Sequence, residues 1–331
     1  MRALALRRLA SDAKPGQARP VVTGKGVLVY GEALVDFVPG AAGRSEAVLG
    51  GSGFNTALAL ARCGAPVAYN VSLSQDGFGE LFLQRLAEES IDQRLVGVCD
   101  APTPSATVTS IGSDGAATYR FSLNGTAFDT APPAPTELDG FAHLHVTSFG
   151  ATLGTSGEAA LELMQRARKA GLSVSYDLNV RPAVLPALDE ARRAIEERAA
   201  LCDLLKCSTD DARTVHGTEF GHPLARWLAH GDRLLLVTDG EKGGYLLPAR
   251  REPMVFPALA QEVVDTIGAG DSFMGAFLAS LWRNGGLGPV LRNLPAELCA
   301  AALGFAVVVA AETCAQQGCN PPRLDPPSAH D

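Results

Sequence analysis

Short runs of β-branched and apolar residues alternate with stretches of helical periodicity along nearly the whole chain, and few architectures accept that order. Strand candidates fall at Gly26–Phe37, Pro66–Ser72, His143–Ser148, Leu172–Leu178, Leu204–Lys206 and Arg233–Thr238. Between them lie helical periods at Gly53–Cys63, Phe78–Glu89, Ser156–Ala170, Leu188–Ala199 and Pro223–His230. The order predicts an α/β fold with a mainly parallel central sheet and helices on both faces. One section breaks it. From Ala106 to Phe128 two β-rich runs flank Ser113-Asp114-Gly115, a turn signal, so a hairpin is expected there. With the segment after Phe37 it would form a small β lid, from about 38–49 and 98–128, over the carboxyl edge of the sheet, where open α/β folds bind ligands. At 331 residues, 47% apolar and 19% charged, the chain can bury the core of one large domain. That domain is expected over residues 25–320. Residues 1–24 read as a loosely ordered extension or an Arg-rich leader, and 321–331 as a Pro-rich tail.

Charge and composition exclude several classes of function. A net charge of −8 and the absence of a polybasic tract argue against nucleic acid as a partner. Seven cysteines without a C-x-x-C pair read as buried thiols of a reducing compartment, which implies a cytoplasmic location. The apolar run Leu303–Ala311 is shorter than the roughly 20 residues a membrane span needs, so a buried helix is expected there and no membrane association. The six histidines show no metal-ligand spacing. Neither a G-x-S-x-G elbow nor a Walker A loop is present.

The stretch Asp265-Thr266-Ile267-Gly268-Ala269-Gly270-Asp271 runs into the helical period beginning SFMGAFLASLW. Three residues with little or no side chain let a ligand approach the backbone closely, and the start of a helix offers unpaired N–H groups to an anion. Asp271 sits in the first turn. It can cap the helix there, or it can take a proton from an alcohol while the amides hold a transferring phosphoryl group. A second glycine-rich block, Gly50-Gly51-Ser52-Gly53-Phe54-Asn55-Thr56, opens the Ala/Leu helix ending at Gly64. Asn55 is either a helix-start residue or a planar amide suited to two sugar hydroxyls.

DTIGAGDSFMGAFL resembles the carboxyl-terminal signature of the ribokinase-like (PfkB) carbohydrate kinases, through Asp265, Gly268, Ala269, Gly270, Asp271, Gly275 and Ala276. The resemblance implies a three-layer α/β/α ribokinase-like fold and ATP-dependent phosphorylation of a sugar hydroxyl. It makes Asp271 the general base and Gly268, Ala269 and Gly270 the anion hole. The block at Gly50 is similar to the family's amino-terminal signature, which implies sugar contacts from Gly50, Gly51 and Asn55; Ser74 stands where a glycine is usual. Asp36, read as ending the first strand, corresponds to an acceptor for sugar hydroxyls, with a surface acid in a turn as the plain alternative.

Thr238-Asp239-Gly240 and Lys242-Gly243-Gly244 resemble the family's strand-end loop, implying ATP contacts from Thr238, Gly240 and Gly243, although a plain hairpin turn would look similar. Lys206-Cys207-Ser208-Thr209-Asp210-Asp211 resembles the Lys-x-Ser-x-Glu-Glu of fructokinases with both acids shortened. It implies ATP contacts from Lys206 and Ser208 and a water-mediated Mg²⁺ contact from Asp211; a helix cap by Ser208 or Thr209 is the alternative. Asp177-Leu178-Asn179-Val180-Arg181-Pro182 resembles fructokinases and 2-keto-3-deoxygluconate kinases, where Arg181 would meet a phosphate or substrate carboxylate, or else form a structural ion pair. Asp265, Ile267 and the region of Gly318 correspond to a monovalent-cation (K⁺) loop of some relatives. Fructose is the substrate expected. Alternatives are 2-keto-3-deoxygluconate, ribose or a nucleoside, or a non-catalytic sugar sensor on the same fold. An exposed lid edge would allow a homodimer.

Overall fold

The computed structural model describes residues 24–40, 44–111, 117–185, 187–219, 221–229, 231–249, 251–259 and 262–324. The extension before Gly24, the Ser113-Asp114-Gly115 turn and the tail beyond Leu324 lie outside the described residues.

Thirteen strands among these residues form two sheets. The large sheet holds β1 (Gly26–Tyr30), β4 (Val67–Ser74), β5 (Val96–Cys99), β8 (Phe141–Thr147), β9 (Ser173–Asp177), β10 (Leu204–Ser208), β11 (Leu234–Thr238), β12 (Gly244–Pro248) and β13 (Met254–Phe256). Its order is β13-β12-β11-β10-β9-β8-β1-β4-β5, parallel from β11 to β5 and antiparallel at β12 and β13. The small sheet is β3-β2-β6-β7, built from β2 (Leu34–Pro39), β3 (Ser45–Gly50), β6 (Ser105–Ile111) and β7 (Ala117–Ser122).

Helices cover both faces of the large sheet because successive strand side chains point to opposite sides. Val27 and Val29 of β1, with Tyr69 and Leu73 of β4, belong to one core. That core is completed by α1 (Ser52–Arg62), α2 (Gly77–Glu88), α7 (Ala269–Arg283) and α8 (Ala296–Cys314). Leu28, Tyr30, Leu144 and Tyr176 face the other core, filled by α3 (Gly154–Lys169), α4 (Leu188–Ala200), α5 (Thr209–His216) and α6 (Gly221–Ala229). Strands covered on both sides must be apolar throughout, and GVLVY of β1 is buried at every position. Helix α8 is long and apolar enough to cross a membrane by composition. Here it packs along α7 and buries Leu303, Phe305, Ala306 and Val309.

The structure corrects the reading of Gly26–Phe37 as one strand. β1 stops at Tyr30, and the chain passes through Gly31–Ala33 into β2 of the other sheet. The cause is Glu32, whose carboxylate accepts the backbone N–H of Ser52 (3.1 Å) and of Gly150 (3.1 Å), so the backbone must leave the ladder there. Asp36 accordingly lies within β2, not at the end of the first strand. Residues 34–37 also join the small sheet, whereas Val96–Cys99 pairs with β4 of the large one.

Candidate functional site

The site forms where the first turns of α1 and α7 meet over the carboxyl ends of the strands. Their approach depends on residues without side chains. A Cβ on Gly53 would lie 2.6 Å from the carbonyl carbon of Gly31, and one on Gly275 would lie 2.6 Å from the Cβ of Ala59. α1 therefore rests on the end of β1, and α7 lies against α1 backbone to backbone.

This brings three donors onto Asp271. Ser52 Oγ donates to Oδ1 (2.6 Å), Asn55 Nδ2 to Oδ2 (2.9 Å) and Asn179 Nδ2 to Oδ1 (3.2 Å). Ser52 Oγ also lies 2.6 Å from Thr147 Oγ1 at the end of β8. Asp271 is 5% exposed, and each of its oxygens accepts at least one of these hydrogen bonds. Asn55 Oδ1 is buried with no hydrogen-bond partner, beside an open cleft that the residue helps to line.

Gly268 precedes α7 at φ 73°, ψ 5°, a left-handed conformation natural to glycine, and a Cβ there would collide with Cys319 Sγ. No side chain caps this helix. Ala269 N–H donates to Thr266 O (3.2 Å), so it is not a free donor. Among the described residues, the N–H groups of Gly268, Gly270 and Asp271 meet no protein acceptor. A cation stands beside them. A Cβ on Gly270 would be 3.5 Å from Lys206 Nζ, which is ion-paired with Asp177 Oδ2 at 2.6 Å. Burial lifts the Asp177 carboxyl to about 6 against the pull of Lys206. Burial is also the largest single influence on the Lys206 ammonium, but the charge and hydrogen bond of Asp177, with the charges of Asp211 and Asp271, together raise it above its ordinary value.

Between the small sheet and the loop before α7 lies a cleft of about 830 Å³, lined by Asp36, Gly50, Asn55, Tyr119, Asp265 and Ile267 among others. The Asp36 carboxylate packs against Gly50, where any Cβ would strike Oδ2. Burial raises its pKa to about 6; the Arg181 cation opposes the rise, and Asp271 and Asp265 add to it. Arg181 itself is exposed, at the head of the short helix Pro182–Val184. Gly51, at φ 99°, links β3 to α1 and packs on the carbonyl of Glu32. Asp265 ties the loop together: Oδ1 accepts Ile267 N–H (2.9 Å) and Oδ2 accepts Gly318 N–H (2.9 Å).

The remaining residues occupy the same sheet edge beyond Lys206. Ser208 and Thr238 are paired at the ends of β10 and β11, and Gly240 and Gly243 bound the short helix Gly240–Lys242 that follows. None of them lines the cleft beneath the small sheet. Ser208 caps α5: its Oγ accepts Asp211 N–H (2.9 Å), while Asp211 Oδ2 accepts Ser208 N–H (2.8 Å). Asp211 Oδ1 accepts Val180 N–H (2.7 Å), so both oxygens hold backbone and the capping alternative describes this segment. Among the described residues, no group of three His, Cys, Asp or Glu side chains is arranged to hold a metal.

Sequence reasoning passed over Glu32, Ser52, Asn179 and the Asp177–Lys206 pair as site-building residues. Burial lifts the Glu32 carboxyl to about 7. Asn179 at φ 36° was signalled only by its place after a strand-ending aspartate.

The profile of the pfkB family carbohydrate kinases matches residues 25–325. A fructokinase of Rhizobium leguminosarum bv. trifolii is 32% identical over 265 residues, covering 77% of this chain and 79% of that protein. The aminoimidazole riboside kinase of Salmonella typhimurium is 29% identical over 261 residues, covering 78% and 81%. The crystal structure of a fructokinase from Xylella fastidiosa with bound ATP superposes with a TM-score of 0.78 at 25% identity, over 89% of this chain and 94% of that one. This chain belongs to the pfkB family, and it is an ATP-dependent carbohydrate kinase with the ribokinase-like fold.

Proposed function

We propose that the chain is a fructokinase, transferring the γ-phosphoryl group of ATP to the 6-hydroxyl of fructose. The observation that carries the catalytic part is Asp271, a buried carboxylate held by Ser52, Asn55 and Asn179 at the uncapped start of α7. A carboxylate so held is fixed in direction and accepts a proton from an alcohol that displaces one of its donors. The free N–H groups of Gly268 and Gly270, with Lys206 beside them, suit the charge that spreads over a transferring phosphoryl group. Ala269 contributes shape to this turn; its own N–H is committed to Thr266.

Asn55 Oδ1 has no protein partner, so a sugar hydroxyl is the donor that completes it. Asp36, packed on Gly50, supplies a paired acceptor across the cleft. On the nucleotide side Lys206, Ser208, Thr238, Gly240 and Gly243 line the edge along which ATP would lie. Mg²⁺ would neutralise the phosphates; Asp211, whose two oxygens both accept backbone N–H groups, would meet it through water. A monovalent cation such as K⁺ would take the loop that Asp265 ties between Ile267 and Gly318. The small sheet is read as a lid whose closure excludes water, and its edge strands β3 and β7 support pairing of two copies.

Fructose is favoured by the named relatives. One observation favours 2-keto-3-deoxygluconate: the Arg181 cation, whose charge reaches Asp36 and Tyr119, suits a substrate carboxylate. A screen of ATP consumption over fructose, 2-keto-3-deoxygluconate, ribose, tagatose 6-phosphate and aminoimidazole riboside decides between them. Fructose should give the highest kcat/KM. Preference for another acceptor overturns the fructose reading, and turnover of none by folded protein overturns the catalytic one.

A further inference from the structure

A file of buried polar side chains crosses the large sheet among strands that are otherwise apolar. His143 and His145 alternate with Leu144 and Val146 on β8; Ser173 and Ser175 alternate with Val174 and Tyr176 on β9. All four therefore point to one face. His143 stands against Ser173 in the register and His145 against Ser175, and none of the four is more than 1% exposed.

The contacts run in one direction. Gly288 N–H donates to Ser173 Oγ (2.8 Å), which lies 2.7 Å from His143 Nδ1. His143 Nε2 lies 2.7 Å from Ser175 Oγ, which lies 2.8 Å from His145 Nδ1. A backbone N–H can only donate, so Ser173 accepts there and keeps one proton to give. His143 Nδ1 at 2.7 Å is a much closer acceptor than Ala142 O at 3.4 Å, which places that proton toward His143. His143 then carries its proton on Nε2 and donates to Ser175, which donates to His145 Nδ1. The proton of His145 is left on Nε2. Burial keeps both rings neutral, pushing His143 down to about 3 and His145 well below its ordinary value, so each ring has one proton to place.

His145 Nε2 is buried without a partner, and so is Asp177 Oδ1. His143 grips positions 173 and 175 with its two nitrogens, and the same reach from His145 spans 175 and 177. Asp177 lies two residues beyond Ser175 on the same strand face, so the orphaned His145 nitrogen and the orphaned carboxylate oxygen share the end of the file, where each alone would be costly. The other oxygen of Asp177 holds Lys206.

We propose that His145 is a positioning residue for phosphoryl transfer: its Nε2–H holds Asp177 Oδ1, through a small swing of the ring or one water, and thereby keeps Lys206 aimed at the start of α7. The proposal rests on the reading of that helix start as the phosphoryl site. His145 touches neither sugar nor nucleotide. It acts by giving Asp177 a partner on each oxygen, which leaves the flexible lysine stem one place to rest, beside Gly270.

Steady-state kinetics with calorimetric ADP binding tests this. His145→Leu should lower kcat/KM for ATP roughly tenfold and weaken ADP while the sugar KM stays within about twofold. His145→Gln, whose amide places an N–H near the Nε2 position, should restore most of the loss. Nitrogen-15 spectra should show both rings as Nε2–H tautomers. Equal behaviour of the Leu and Gln variants, or an Nδ1–H tautomer at His145, overturns the proposal. If His145→Leu does not fold, Ser175→Ala carries the test. It removes the donor to Nδ1 and should move the ATP parameters the same way by less; unchanged ATP parameters overturn the proposal. The double variant Asp177→Asn with Lys206→Met removes the ion pair without leaving a buried charge. If it leaves ATP kinetics unchanged, the phosphoryl-site reading itself fails; if it is impaired while the His145 series is flat, only the role of His145 fails.

Discussion

Asp271 gathers three donors from two distant parts of the chain, and its substitution separates chemistry from binding. Asn in its place keeps the volume but has one acceptor oxygen, and it puts an NH₂ group against Ser52 or Asn55. Turnover should fall by roughly 10²–10⁴-fold, while binding of a non-hydrolysable ATP analogue, followed by calorimetry, stays within a few-fold. An unchanged kcat would remove Asp271 from the reaction. Asp36 makes a prediction about pH. Its carboxyl is raised to about 6, chiefly by burial, so it gains a proton as pH falls through that value. Only the ionised form accepts on both oxygens, so sugar affinity should be full above about pH 7 and decline through pH 6. The decline should vanish in Asp36→Asn, which binds more weakly throughout; titration calorimetry from pH 5 to 8 reads it. Asp271 and Asn55 were legible in the sequence because each stands in a glycine-rich block whose spacing carries meaning. Glu32 was not. It fell inside the run Gly26–Phe37 read as one strand, and its role shows only when Ser52 and Gly150 are seen to donate to it from 20 and 118 positions away. Lys206 was read against ATP and Asp177 only as part of a strand-closing motif, and only the packing of β9 beside β10 makes them partners.

Elements are joined here by what is missing from them. Gly275 lets α7 touch α1, and that contact sets the distance between Asp271 and its donors. Gly275→Val should cost about 1–3 kcal/mol of stability through overpacking, read as a lower denaturation midpoint. It should also lower kcat several-fold at temperatures where the protein stays folded, because Ser52 and Asn55 are pushed from the carboxylate. Loss of stability with kcat intact would uncouple this packing from the site. The five helices predicted from periodicity match α1, α2, α3, α4 and α6 within two residues at either end, since a 3.6-residue period over several turns is hard to mistake. Strands were less legible. β12 and β13 are short and antiparallel at the edge, with Tyr245 and Val255 exposed, so no buried run announces them. The break after Tyr30 was hidden because apolar residues continue on both sides of it, although they serve two different sheets.

At the scale of the whole molecule, the small sheet has its own core of Leu34, Ala106 and Phe149, apart from the two that flank the large sheet. Phe121 of β7 meets Phe149 edge-on at 5.7 Å, and Phe128 lies 5.5 Å from the same ring. These rings moor the small sheet to the body. Phe121→Ala should therefore raise the sugar KM several-fold while shifting the main unfolding transition little, the aromatic contact being worth about 0.5–1.5 kcal/mol. Hydrogen exchange should be faster in β6 and β7 than in β1 and β8; uniform loss of protection would show that the two sheets open together. The parallel order and the extra hairpin were foreseeable from alternation, but the separateness of this third core was not, because its members come from stretches that each look ordinary. The three-way grip on Asp271 has a consequence for the chain as it is made. Ser52 and Asn179 emerge from the ribosome long before the helix that carries their acceptor, and until α7 docks they have nothing to orient. On the proposed role of Asp271, a nascent or truncated chain without α7 should therefore not turn over ATP, and activity should appear only once that layer has closed.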